Sequence, residues 1–441
     1  MRDIIVTAVV FGLLPFVLRN AWVGVLVWSW LGYMNPHRLA WGFAYTFPFA
    51  QVVALTLLFS MLFTKDKLAL PKNGLVVVWM MFLLWMVFCT FFAVYPDMAV
   101  LQLETVLKIQ LVTFVTLLMM NSMERVNQLV WVIVFSIGFY SVKGGGFTLL
   151  TGGAFHVYGP VGSYIYENNT LAVAVLMIIP MMLYIHRFPP HRLVKLAMPW
   201  CVFLSLAAVI GSQSRGALIA IAAVGAFYWW QSKNKVLAAI VFMFLGLFGY
   251  IFMPASWHER MASITEYQED SSAMERIRAW EFSIKIANDR FTGGGFNSWS
   301  MENYAKYVPE AKRAFVAHSI YFGVLGDSGW VGLALFLGVL FLVWRQLNQI
   351  IAVTRDDPDR EDFNFLARML KISMIAFMAG GSFLSLSYFD LAWHIMAMTV
   401  AMSQLTRADG SPARQERTAK RGPRRRGVPQ RSRRPGMSVR S

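Results

Sequence analysis

The chain is poor in charge and poor in cysteine. Only 15% of its 441 residues are Asp, Glu, Lys or Arg, against about 25% in a soluble globular protein. A water-exposed enzyme of this size needs more charge than that, so a purely soluble fold is excluded. Two cysteines, Cys89 and Cys201, both sit in apolar runs. They make no disulfide framework and no thiolate metal site, and they read as small buried apolar residues. No Gly-Lys-Ser/Thr follows the glycine-rich stretch KGGGFTLLTGG (143–153), which excludes a P-loop. No His, Cys and carboxylate cluster has metal-ligand spacing, so neither a metal nor a cofactor is expected. Period-2 alternation is also missing from the apolar runs, which argues against a membrane β-barrel.

What fills the space is hydrophobic: 57% of the residues, with a mean hydropathy of +0.51. Apolar runs long enough to span a bilayer recur along the chain, and in lipid such runs must be helices. The expectation is an all-α, polytopic membrane protein of about twelve transmembrane helices. The first twenty residues resemble a signal peptide but lack a small-x-small cleavage site, so they read as a retained first segment. Arg19 and Asn20 split the first 34 residues into two short apolar runs. One interrupted span gives twelve crossings and two spans give thirteen.

Basic residues outnumber acidic ones by 40 to 24. Residues 407–441 hold twelve Lys/Arg and two acids, so this segment reads as a disordered tail, with residues 1–406 as the membrane domain. Its charge places it in the cytoplasm beside anionic lipid, and a nucleic-acid arm is the less economical reading. Threading back from it puts HRFPPHR (186–192) and QSKNK (231–235) inside. The segments NPHRLAWGFAY (35–45), 143–169, the SQSRG turn (212–216) and a large loop, 254–317, fall outside. Crossings at ~371–387 and ~389–405 meet at a tight turn near Tyr388 and Phe389. The ENN stretch (167–169) reads as the N-terminal cap of a membrane helix, and DDPD (356–359) as solvated cytoplasmic surface.

Three polar elements then share the outer face. Arg215 lies in SQSRG. Residues 273–299 read as a helix with Arg276, Trp280 and Ile284 on one side and Arg278 on another, ending at Gly293–Gly295. AHSIYFGVLGDSGWVG (317–332) sets His318 at the mouth of a membrane helix. His37 and Arg38 are candidates for the same outer cavity. Guanidinium groups hold oxyanions through paired hydrogen bonds at any working pH, and imidazole takes a proton near neutrality. Together they suit displacement of a lipid pyrophosphate from an anomeric carbon by an acceptor hydroxyl. Taken singly, Arg215 also reads as a side chain snorkelling to the interface. Arg276 and Arg278 also read as solvated helix positions, and His318 as a helix-terminal histidine bonded to backbone.

The order SQSRGA, RIRAW, GGGF, AHSIYFGVLGDSGWVGL, with YMNPHRLAWGFAY and ENNTLAVAVLMIIPMM before it, resembles the O-antigen ligase/polymerase superfamily of bacterial membrane glycosyltransferases. Within that superfamily it is similar to the WaaL-type ligases and to O-glycosylation ligases found beside exosortase systems. The resemblance covers about residues 1–405. It implies a GT-C-like helical fold in the bacterial inner membrane, with the active site and one large helical loop on the periplasmic side. It implies an undecaprenyl-pyrophosphate-linked glycan as donor, lipid A–core as acceptor, membrane lipids as surroundings, and inversion without a metal. By position, Arg215 and Arg276 match the family's diphosphate-binding arginines and His318 its base, with Arg278 able to share the role of Arg276. His318-Ser319 stands where many relatives have His-Asn, which leaves the role of position 319 open. A polymerase or a protein O-oligosaccharyltransferase of the same fold is the alternative, and a transporter of a lipid-linked anion is the reading from another class.

Overall fold

The structure, a computed structural model, describes residues 1–66, 68–232, 234–255, 257–258 and 271–409. The basic tail beyond residue 409 and residues 259–270 of the large loop lie outside the described residues. All regular elements among the described residues are helical. In chain order they are α1 (Arg2–Arg19), α2 (Ala21–Met34), α3 (Phe49–Met61), α4 (Gly74–Phe91), α5 (Pro96–Met119), α6 (Met123–Leu150), α7 (Asn168–Arg187) and α8 (Arg192–Gly211). There follow α9 (Arg215–Gln231), α10 (Lys235–Phe252), α11 (Ser271–Asp289), α12 (Met301–Tyr307), α13 (Ile320–Val353), α14 (Glu361–Gly381) and α15 (Asp390–Asp409). Eight helices are long and apolar enough to cross a membrane, and α2, α3 and α9 are apolar but shorter. The helices start where short polar residues satisfy their first N–H groups: Asn73 caps α4, Ser122 caps α6, and Ser214 caps α9.

Side-chain bonds sort the connections into two ends. At the lower end Asp66 meets Arg125, Tyr184 bonds Asn127, Arg187 meets Glu361, and Gln346 bonds Asn73. At the upper end Asn168 bonds Ser212, Tyr95 bonds Ser300, and Trp280 bonds Ala317. Every described helix except α11 and α12 runs from one end to the other.

The first two apolar runs are separate antiparallel helices. Arg2 donates to Leu39 O at 3.1 Å, and Asp3 accepts from Gly42 N and Ala44 N at 3.0 and 3.1 Å. The start of α1 therefore lies beside the segment that follows α2. Ser60, at the foot of α3, donates to Val17 O at 2.7 Å, near the other end of α1. The first two apolar runs are thus two separate helices, of which α2 is shorter than the length that crosses a membrane.

Two expectations need correction. KGGG (143–146) is not loop: α6 continues through it to Leu150. A Cβ on Gly145 would stand 1.9 Å from Leu204 O of α8, so the glycines let two helices approach closely. The penultimate crossing is shifted: α14 ends at Gly381, and residues 382–389 form an upper connection longer than a tight turn. Glu167 occupies the N-cap of α7, but its side chain makes no capping bond.

The α13 helix breaks at Gly329, whose φ of 66° and ψ of −171° are non-helical. The break frees carbonyls that a continuous helix would use. Gly294 N and Gly295 N donate to Gly326 O and Asp327 O at 2.8 and 3.1 Å, and Trp85 donates to Ser328 O at 2.8 Å. The glycine run after α11 thereby locks the upper loop onto α13. Gly293 has φ +66°, and a Cβ there would lie 2.6 Å from Gly329 N.

Candidate active site

The SQSRG turn is built from its own polar atoms. Ser212 Oγ donates to Val209 O at 2.6 Å, Gln213 Nε2 donates to Gly153 O at 2.9 Å, and Ser214 Oγ accepts from Ala217 N at 3.1 Å. Ser212, Gln213 and Ser214 are all buried. Arg215 follows as the first residue of α9, half-buried. A cation at a helix N-terminus meets the positive end of the dipole, at a cost of a few tenths of a kcal/mol up to about 1. The guanidinium and the helix end together concentrate positive charge at one upper-end point, a suitable place for an oxyanion.

From the other side comes α11. Trp280, one turn beyond Arg276, donates its Nε1–H to Ala317 O at 2.9 Å and stacks on Phe322 with ring centroids 4.9 Å apart. Tyr304 donates to Phe315 O at 2.7 Å. These two side chains clamp residues 315–317, and His318 follows with φ +43°. A non-glycine residue in the left-handed region costs about 1–2 kcal/mol, so the clamp holds His318 where a free chain would not leave it. Ser319 then caps α13, its Oγ accepting from Tyr321 N and Phe322 N. Asn is an equally good cap, which gives position 319 a structural role.

Phe383, in the 382–389 connection, joins the two sides. Its ring centroid lies 6.2 Å from that of Trp280, and its Cβ lies 3.4 Å from a Cβ built on Gly216, the neighbour of Arg215. His318 is half-buried and its pKa is lowered from the ordinary 6.5, first by burial and then by the Arg276 charge, with Glu167 opposing. The imidazole is neutral near neutral pH and ready to accept a proton. Sequence reasoning missed two contributors. Trp280 was visible only as a motif residue, and its partner, Ala317 O, is a backbone atom that no pattern reveals. Glu167 lies far from His318 in sequence and reaches it only through the packing of α7. Arg278, two residues past Arg276 on a helix of 3.6 residues per turn, is half-buried on a different side of α11.

His37 and Arg38 occupy a short 3-10 turn after α2. They line a cavity of about 340 Å³ together with Lys108, Tyr164, Asp390 and His394. Arg215, Arg276 and His318 do not line it. Burial, and secondarily Arg38, lowers the His37 pKa from 6.5. The segment from Gly162, which lines the cavity with Arg38, to Glu167 leads from the cavity toward the His318 cluster. Five residues of chain span at most roughly 17 Å.

Residues 200–337 match the O-antigen ligase family. That ligase-family segment contains Arg215, Arg276, Arg278 and His318 and supports the O-antigen ligase/polymerase superfamily, whose members are membrane glycosyltransferases. Residues 1–189 match a family of unknown function (DUF5935), and this part supplies Glu167, His37 and Arg38. No curated protein matches the chain.

Proposed function

We propose that the protein is an O-antigen ligase of the bacterial inner membrane. It transfers a glycan from undecaprenyl pyrophosphate to a hydroxyl of lipid A–core at the periplasmic face, which is the upper end of the bundle. The observation that carries this reading is the setting of His318: a neutral, clamped imidazole in the field of Arg276, inside the segment that matches the O-antigen ligase family.

In the proposed step the acceptor oxygen bonds to the anomeric carbon while His318 takes its proton. The bond from that carbon to the pyrophosphate oxygen breaks, and its electron pair leaves with the lipid diphosphate. Arg215 and Arg276 hold the departing diphosphate through paired charge-assisted hydrogen bonds. Attack opposite the leaving group inverts the carbon, and the two guanidinium groups supply countercharge without a metal. Burial and the Arg276 charge lower the basicity of His318, Glu167 partly offsets them, and Trp280 sets its position.

The test is a reaction of purified protein in detergent with lipid-pyrophosphate glycan and lipid A–core. A glycan-bearing lipid A–core product supports the ligase. Chains of joined repeat units on the donor lipid identify a polymerase instead, and glycan on protein serine or threonine an oligosaccharyltransferase. Movement of the intact donor across vesicles with no new bond identifies a transporter.

A further inference from the structure

The cavity behind the Asn35–Leu39 turn continues into the membrane-facing surface. Its lower neighbour is an apolar groove of about 280 Å³ between α2, α3 and α5, and the two share Trp28, Lys108 and Val112. The groove runs from Gln51 to Leu58 on α3 and from Lys108 to Val115 on α5. Seven residues of helix rise about 10 Å, enough for a run of methylenes. Leu55 and Leu111, on its walls, are 68% and 50% exposed, so it opens to the surroundings of the bundle.

The cavity above it sets the cations Arg38 and Lys108 and several polar side chains among apolar ones. Arg38 lies over the Tyr45 ring at 4.7 Å and against Gly162, and among the described residues no carboxylate pairs with it. Lys108 pairs with Glu104 one turn away, an exposed pair that a better anion can displace. Two buried ring nitrogens in the lining, His37 Nδ1 and His394 Nε2, lack hydrogen-bond partners. His394 is only 2% exposed and is fixed by Tyr33 Oη, 2.6 Å from its Nδ1. A buried polar atom without a partner costs free energy that a ligand can recover. Asp390 stands on the same wall. A headgroup that is only phosphate would offer the Asp390 carboxyl no hydroxyl to bond. A headgroup with hydroxyls as well gives Asp390 a donor to accept from.

We propose that this cavity and groove bind a membrane lipid whose headgroup carries a phosphate and hydroxyls. The phosphate sits on Arg38 and Lys108, the hydroxyls on Asp390 and His394, and the chain lies along α3 and α5. The site does not depend on the transferase reading, because binding requires no turnover.

Full-length protein in detergent is titrated with phosphatidylglycerol by native mass spectrometry, against diacylglycerol of the same chains and against inorganic phosphate. Phosphatidylglycerol binds, and both controls bind at least about tenfold more weakly, as loss of a charge-assisted contact or of the buried chain requires. Arg38→Gln and Lys108→Gln each lower its affinity about tenfold, while Arg38→Lys retains most of it. Ala54→Trp, which fills the groove, lowers it without touching the cavity. Equal binding of diacylglycerol overturns the phosphate assignment, and equal binding of inorganic phosphate overturns the groove. Unchanged affinity in Lys108→Gln and Ala54→Trp, with thermal unfolding as in the parent, overturns the site even if Arg38→Gln does not fold. His318→Ala binds the lipid as the parent does, so failed glycan transfer and failed lipid binding remain separate results.

Discussion

At the lower end of the bundle Arg125 meets Asp66 at 2.8 Å, Arg187 meets Glu361 at 2.7 Å, and Arg360 meets Asp357 at 3.2 Å. At the upper end lie all four described non-glycine residues with positive φ: Asn35, Gln213, Asn297 and His318. Three of them are candidate residues or stand within three positions of one. At the lower end Arg125–Asp66 and Arg187–Glu361 join separate segments, and Arg360–Asp357 fixes the turn before α14. The upper end holds turns in conformations that the free chain avoids, and it does so beside its arginines and histidines. Strain of this kind persists only where surrounding packing over-determines it, and Trp280, Tyr304 and Gln213 provide that packing. The difference teaches that one end is tied together by its charges, whereas the other holds strained turns beside the candidate residues.

Variants at the upper end break the comparison most sharply. His318→Ala lowers the transfer rate about 10²–10⁴-fold, the range for loss of a general base, with thermal stability little changed; a rate within twofold of the parent would falsify the base assignment. Arg276→Lys and Arg215→Lys keep the charge but lose the planar fork, and each lowers the rate about 10²-fold. Single-turnover assays with lipid-pyrophosphate donor measure both.

The lower end responds in the opposite way. Asp66→Asn costs about 1 kcal/mol of stability and leaves transfer intact in the surviving folded protein. The carboxyl pKa of Asp66 is held below its ordinary 3.8, chiefly by the hydrogen bond from Arg125. Its contribution is therefore complete above that pH and disappears as pH falls through the folded value. Thermal unfolding followed between pH 3 and pH 7 reads this loss, which the variant lacks.

The smallest effect is the most specific. The acid limb of kcat/KM falls below pH 6.5, because the folded His318 pKa is lowered. Glu167 favours the protonated ring, so Glu167→Gln moves the limb to still lower pH. A limb that stays in place, or moves up, removes Glu167 from the environment of His318.

Much of this arrangement was legible in the residues. SQSRG declared itself as a turn because an arginine between two apolar runs is costly anywhere else, and it does join α8 to α9. The α11 helix followed from the spacing of Arg276, Trp280 and Ile284, although it ends at Asp289, four residues before the glycine run expected to stop it. KGGG was misread because glycine marks loops in water, whereas between packed helices it marks close approach. The division of His37 and Arg38 from the Arg276–His318 cluster was equally hidden, since both groups belong to the same end.

The sequence by itself determined a helical membrane bundle, the polar turns and the cation-rich end, because hydropathy and charge are local properties that lipid and water sort directly. The tertiary structure decided that α1 and α2 are two separate helices, that Glu167 lies in the electrostatic surroundings of His318, and that Arg38 lines a separate cavity. Those facts depend on which helices pack together, and packing joins residues that no local pattern relates.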